Sequence, residues 1–305
     1  MSKKKQLGTS VLVNRKQKRE AYVLLAPYFV LFFTFTVLPV VTSIILGFTN
    51  FNALQIPQFV GWDNYTRLLL DDEVYIIAIR NTLLFAVVTG PVSYIFCFIF
   101  AWVINELPPK LRAFMTLILY APTLAGGAAI TIFQIVFSPD SYGYANNLLL
   151  TLGTITQPIK WFQTAAYVMP LLIIISLWLS LGTSFLSFIA GLQTVDPGQY
   201  EAGAIDGLQN RWQELWYITL PNMIPFLMFG AVMQITSSFA VAGISMDLAG
   251  FPSVNYAGET LVTHLMDFSS YRYELGYASA QATVLFLVMV GANKGVQKIL
   301  AKVGR

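Results

Sequence analysis

Six stretches of this chain are as long and as apolar as a bilayer is thick, and they limit what everything between them can be. They run Val23 to Thr49, Leu83 to Ile104, Ala113 to Phe137, Ala165 to Ala190, Asn222 to Ser245, and through Tyr277 to Gly291 with a few residues either side; none holds Asp, Glu, Lys or Arg. Crossing a hydrocarbon core takes roughly 20 predominantly apolar residues at about 1.5 Å rise each. The spacing predicts an all-α integral membrane protein with six transmembrane helices, at 23–49, 83–104, 113–137, 165–190, 222–245 and 274–293. Composition agrees, since 56% of the 305 residues are hydrophobic and 11% charged, against about 25% charged in soluble domains.

Several chemistries fall away at once. Cys97 is the only cysteine and His264 the only histidine, so neither a disulfide nor a Cys/His metal site is available. The first apolar run follows a basic segment but is too long for a signal core of roughly 7–15 residues, so it reads as an uncleaved helix kinked or bounded by Pro27 and Pro39. Arg80 is expected just ahead of the second span, where its side chain can reach the interface.

Basic residues set the expected orientation. Seven lie in the segment 1–20 (Lys3, Lys4, Lys5, Arg15, Lys16, Lys18, Arg19), and Lys110, Arg112, Arg211, Lys294, Lys298, Lys302 and Arg305 fall on the same side. Arg67, Arg80, Lys160 and Arg272 fall on the other. Both termini are therefore expected in the cytoplasm, with 21–293 as the six-span domain and 294–305 as a basic tail. The outer connections Asn50 to Ile76 and Met246 to Gly276 are net acidic, through Asp63, Asp71, Asp72 and Glu73, then Asp247, Glu259, Asp267 and Glu274. They read either as a solvated face or as a docking surface. No internal repeat, no inverted pair of broken spans and no intramembrane acid is visible, which disfavours an ion-coupled carrier.

One inner connection, residues 196–221, is unlike the others: it is polar, lies between two uncharged spans and carries two helix signatures. Asp196 before Pro197, with Gln199 three positions on, predicts a capped helix start, and Gly207 predicts its stop. Asn210 with Gln213 repeats the cap. Trp212, Leu215, Trp216 and Thr219 then share a face at i, i+3, i+4 and i+7, suited to the membrane interface. A helix-turn-helix of this kind either forms a collar on the lipid or passes force between the spans and a cytoplasmic partner. The small residues Ala202, Gly203 and Ala204 suit close approach by another protein.

The order Glu201-Ala202-Gly203, Gly207, Ile218-x-Leu220-Pro221 resembles the EAA motif of permease subunits of ATP-binding-cassette importers, EAA-x3-G-x9-I-x-LP. Gly203 stands in place of the third alanine, and ten residues instead of nine separate Gly207 from Ile218. Phe59 to Leu69, Arg80 to Pro91, Ala190 to Gly207, Tyr217 to Pro221, Glu259 to Leu265 and Leu275 to Ala280 are similar, in order, to blocks of the carbohydrate branch, the binding-protein-dependent sugar permeases. The resemblance implies a prokaryotic cytoplasmic (inner) membrane and a second permease subunit, usually in a heterodimer. It also implies two cytoplasmic ATP-binding-cassette ATPase subunits, an extracytoplasmic sugar-binding protein, and no nucleic acid. This chain is expected to bind no cofactor and to be no enzyme: it lacks the phosphate loop G-x4-G-K-[ST], and ATP with Mg belongs on the ATPase.

By the same resemblance, Glu201, Ala202, Gly203, Asp206 and Gly207 form the coupling contact with the ATPase, with Gly207 as the turn; Asp206 also reads as a solvated helix-end charge. Sugar recognition needs hydroxyls, amides and aromatic faces in a wet cavity. Ser180, Thr183, Ser184 and Ser187 make a stripe on the fourth span, and Gln234, Ser237 and Ser238 make one on the fifth, where related permeases line their pathway. Any single serine or threonine here can equally bond its own backbone, while Gln234 at mid-span must find a partner. Trp178 and Tyr94 read as packing or interface aromatics. Other solutes, a secondary carrier or a membrane scaffold remain as alternatives.

Overall fold

The computed structural model describes residues 15–303; residues 1–14 and 304–305, with most of the basic segment used above for orientation, lie outside the described residues. All regular elements among the described residues are helical, apart from one isolated antiparallel bridge between Thr49 and Phe59. Five helices are long and apolar enough to cross a bilayer: Arg19–Leu46, Glu73–Asn105, Ala165–Leu192, Ile224–Ala249 and Leu275–Leu300. A sixth, Pro109–Ala125 with Gly127–Val136, is bent by 86°. Each overlaps one of the six apolar stretches of the sequence, in the same order.

The differences have local causes. The second span starts at Glu73 and not near Leu83, because Asp72 caps it by accepting from the Tyr75 amide at 2.9 Å; Arg80 is thus inside the helix. In the first span the helix continues past Pro27, and a π turn over Phe33–Val37 comes just before Pro39. Proline has no N–H and its ring crowds the carbonyl four residues back, so a widened turn relieves the clash. The third span bends at Gly126, whose φ of 51° and ψ of −123° favour a residue without a Cβ.

The fourth and fifth spans are also broken. One stops at Leu179 and resumes at Thr183; the other stops at Phe239 and resumes at Gly243. The sequence reading found no broken pair, because both interruptions keep an apolar composition.

Contacts define two ends of the bundle. At the terminal end, the connection near Glu106 meets the helix-turn-helix through an Arg211–Glu106 ion pair of 2.9 Å and a Trp102–Trp212 contact of 5.2 Å between ring centroids. Phe185, Phe188, Met223, Cys97 and Ala101 form a core there that includes Ile218. At the opposite end, Leu68, Tyr75, Phe268 and Tyr277 form another. The first span packs chiefly through Leu38–Leu46 on the sixth, and most of its large apolar side chains from Tyr22 to Ile45 are exposed.

Candidate functional site

The interruptions of the fourth and fifth spans face one cavity of about 310 Å3, lined by Leu179 and Ser180 from one break and by Ala240, Val241, Ala242 and Gly243 from the other. Non-helical backbone at membrane depth persists only where it is buried in protein or lines a wet space. Here donors from neighbouring elements hold it. Thr123 Oγ1 lies 3.0 Å from the Leu179 carbonyl and 3.1 Å from that of Leu181, and Thr260 Oγ1 donates to the Val241 carbonyl at 2.7 Å.

Gln234, Ser237, Ser238 and Ser180 all line this cavity, so four of the seven expected pathway residues converge. Ser237 and Ser238 donate to the Gln234 carbonyl at 3.0 and 2.8 Å, and Ser180 donates to the Leu177 carbonyl at 2.6 Å. Their lone pairs remain for a ligand. The buried Gln234 side chain has its oxygen 3.3 Å from Ser184 Oγ, which is also 3.0 Å from the Gly230 carbonyl. Ser184 is itself buried and holds the fourth span against the fifth. Thr183 is exposed and Ser187 half-buried, and neither lines the cavity.

Three lining residues were missed: Thr89, Ser93 and Ser176. Ser176 extends the Ser180 stripe by one turn, and Thr89 with Ser93 makes an i, i+4 pair on the second span; both patterns were readable. Tyr94 packs edge-on to Phe188 and donates to the Leu227 carbonyl at 3.2 Å, and Trp178 packs on Phe133, as expected of packing aromatics.

At the terminal end the first short helix is Pro197–Ile205, and Asp196 Oδ1 accepts from the Gly198 amide at 3.0 Å. Gln199 does not complete the cap; its oxygen accepts from Asn222 at 2.7 Å, tying the helix to the fifth span. Leu208 N donates to the Gly203 carbonyl at 2.9 Å and Gly207 N to that of Ala204 at 3.3 Å, with Gly207 at φ 96°. This pairing of six-to-one and five-to-two bonds satisfies the last carbonyls of the helix. Glu201, Ala202, Asp206 and Gly207 are exposed, whereas Gly203 is buried. A Cβ at Gly203 would come within 2.8 Å of both Ile218 Cδ1 and Leu208 Cδ1, so these two side-chain ends close over the glycine. Ile205, 87% exposed on the same helix, was missed by the sequence reading.

The second short helix starts at Arg211, with Asn210 accepting from the Gln213 amide at 3.0 Å. A π turn over Leu215–Thr219 follows. One turn of this kind holds one residue more than an α turn, so it can take up the extra residue between Gly207 and Ile218. It also divides the expected interfacial face: Leu215, Ile218 and Thr219 are buried, while Trp212, Trp216 and Tyr217 are exposed.

The opposite end holds a cavity of about 480 Å3, lined by Asp71, Asp72, Glu73, Glu259, His264 and Arg272 among others. Asp72 gathers the Tyr277 hydroxyl at 2.6 Å, the Tyr75 amide and His264 Nε2 at 3.3 Å. Burial opposes its charge, but the Tyr277 and Tyr75 donors hold its carboxyl below the usual range. Burial pushes the Glu259 carboxyl up to about 7, against the Thr263 hydroxyl that donates to it. Asp267 and Glu274 are already paired, with Arg272 at 2.7 Å and Arg67 at 2.5 Å.

Residues 105–301 match the family described as binding-protein-dependent transport system inner membrane component. The chain is 31% identical over 280 residues to the probable ABC transporter permease protein YesP of Bacillus subtilis, covering 91% of this chain and 88% of the relative. It is 28% identical to the arabinooligosaccharides transport system permease protein AraP of Halalkalibacterium halodurans (90% and 85% covered). It is 29% identical to the lactose transport system permease protein LacF of Rhizobium radiobacter (88% and 89% covered). A chain from the crystal structure of a bacterial alginate ABC transporter, in complex with its alginate pentasaccharide-bound periplasmic protein, shares the fold. There the TM-score is 0.75 at 22% identity, covering 93% of this chain and 96% of that one.

Proposed function

The chain belongs to the family of binding-protein-dependent transport system inner membrane components, and on that premise we propose that it is one permease subunit of an ATP-driven importer for a neutral sugar or oligosaccharide. The observation that carries this reading is the cavity where two broken spans meet. It offers Thr89, Ser93, Ser176, Ser180, Gln234, Ser237 and Ser238, and no charged side chain among the described residues lines it. Hydroxyls and one amide match a polyol surface. An acidic saccharide would want a cation there. The permeases similar to this chain that are named for arabinooligosaccharides and lactose support the same substrate class.

In this reading the terminal end is cytoplasmic. Glu201, Ala202, Ile205, Asp206 and Gly207 form the exposed surface that docks on an ATP-binding-cassette ATPase, while Gly203 works from inside by letting Ile218 and Leu208 approach. Two such ATPases hydrolyse ATP with Mg, and their closure tilts the spans to alternate access. A second, non-identical permease completes the pathway. The first span, most of whose surface this chain leaves bare, supports such a partner. The sugar-binding protein docks outside. Because Asp267 and Glu274 are held in ion pairs, reversing either charge would first disturb the local fold; Asp71 and Glu73, which line the outer cavity without an ion-pair partner among the described residues, are the better docking groups.

The test is uptake by proteoliposomes containing this chain with its partner permease, ATPase and binding protein, against a panel of neutral and acidic saccharides. Uptake of a neutral saccharide that needs both ATP and the binding protein is the expected result. Uptake driven by an ion gradient without ATP would overturn the reading.

A further inference from the structure

Between the first span and the acidic helix that begins at Asp63 lies a run, Gly47 to Trp62, without a single charged residue. It folds as a hairpin. Asn50 N donates to the Gln58 carbonyl at 3.1 Å, Gln58 N to Asn50 Oδ1 at 2.9 Å, and Val60 N to the Phe48 carbonyl at 2.9 Å. At the tip, Asn52 Oδ1 accepts from the Leu54 and Gln55 amides at 3.2 and 3.1 Å and turns the chain.

Two spans fix where this hairpin stands. Asn64 Nδ2 donates to the Gly47 and Thr49 carbonyls at 2.9 and 2.8 Å, at the end of the first span's helix. Gly276 N, in the first turn of the sixth span, donates to the Phe51 carbonyl at 2.7 Å. Any side chain at Gly276 would run into the Thr49 carbonyl. The hairpin therefore sits where the helix of the first span ends and that of the sixth begins, and fluctuation of a loose loop does not account for what it exposes. Leu54 is 89% exposed, Ile56 87%, Phe59 79% and Trp62 68%.

Three large apolar side chains on a braced, uncharged hairpin, with Trp62 beside it, are costly in water. A reversible protein-docking surface would carry a polar rim; of this hairpin's amide side chains, Asn50 and Asn52 already bond its own backbone, which leaves only the neutral Gln55 and Gln58 to make one. The ends of membrane spans are where amphipathic aromatics such as Trp62 settle among headgroups. We propose that the hairpin Asn50–Val60 lies in the lipid headgroup region and anchors the joined ends of the first and sixth spans to the bilayer surface. The charged residues of this end, beginning at Asp63, then face water. The inference does not depend on the substrate, the partners or the sidedness proposed above.

A nitroxide at Ile56→Cys in a Cys97→Ser background, with the full chain in nanodiscs, tests it. Relaxation of the label by oxygen should exceed relaxation by a water-soluble nickel chelate, with the opposite order at an Asp63→Cys control. In parallel, bilayers of brominated phospholipid should quench part of the tryptophan fluorescence, and Trp62→Phe should lose part of that quenching. Dominant nickel relaxation at position 56 overturns the proposal, with or without protection by added binding protein. So does low relaxation by both agents, which would place the hairpin inside a protein interface.

Discussion

At one end of the bundle a single carboxylate, Asp72, gathers donors from the second span, the sixth span and the segment containing His264. At the other end, the first short helix is held by Ile218 and Leu208 closing over Gly203 and by two bonds between neutral groups, Gln199 to Asn222 and Tyr200 to Thr219 at 2.9 Å. Buried charge with several partners is rigid, because removing one partner strands the others. Apolar contact around a glycine is a fit of shapes, and it leaves Glu201, Ala202 and Ile205 facing outward. One end is tied, and the other presents a surface to be gripped.

Exchanges at the two ends should fail in different ways. Glu201→Lys is expected to have the largest effect, abolishing uptake in the reconstituted importer while membrane insertion and thermal midpoint stay those of the wild type; normal uptake would end the idea of a gripped surface. Asp72→Ala should cost about 3 kcal/mol by stranding buried donors and removing a helix cap, read as a lowered midpoint of unfolding in detergent. A midpoint unchanged within error would mean the opposite end is not tied through this group. Gly203→Val should cost roughly 1–3 kcal/mol as an overpacking change, with Gly203→Ala milder because both facing atoms are ends of flexible side chains.

The last effect concerns Glu259 and depends on pH. Its carboxyl, raised in the folded chain from an ordinary 4.5 to about 7, binds its proton more tightly folded than unfolded. Its contribution to stability is therefore best at low pH and declines as pH rises from about 4.5 to about 7. Glu259→Gln keeps an acceptor for Thr263 and should raise the unfolding midpoint at pH 8, with the gain vanishing toward pH 4.5. A gain that is the same at both pH values would rule out titration as its cause.

The two ends also differed in how far the sequence disclosed them. The long apolar helices and the helix-turn-helix were readable because their signals are local: unbroken apolar runs, Asp196 before Pro197, Asn210 with Gln213, and Gly207 at the stop. Asp72 lies far in the chain from His264 and Tyr277, and nothing near any of them announces the meeting. The breaks at Ser180–Gly182 and Ala240–Ala242 were missed because those residues keep the hydropathy of their spans. The bend at Gly126 had a visible cue in the Gly126-Gly127 pair inside an apolar run.

The hydroxyl of Ser184 has one hydrogen and stands before two acceptors, the Gly230 carbonyl at 3.0 Å and the Gln234 amide oxygen at 3.3 Å. The Gly230 carbonyl lies inside the helix Ile224–Phe239, whose own backbone amide four residues on already serves it, so the hydroxyl can turn to either oxygen without stranding that carbonyl. At any instant one of the two oxygens goes without that proton, and when it is Gln234's, the oxygen left wanting belongs to a side chain that lines the cavity. A visitor bringing a hydrogen to the Gln234 oxygen would leave the Ser184 hydroxyl with the Gly230 carbonyl to turn to.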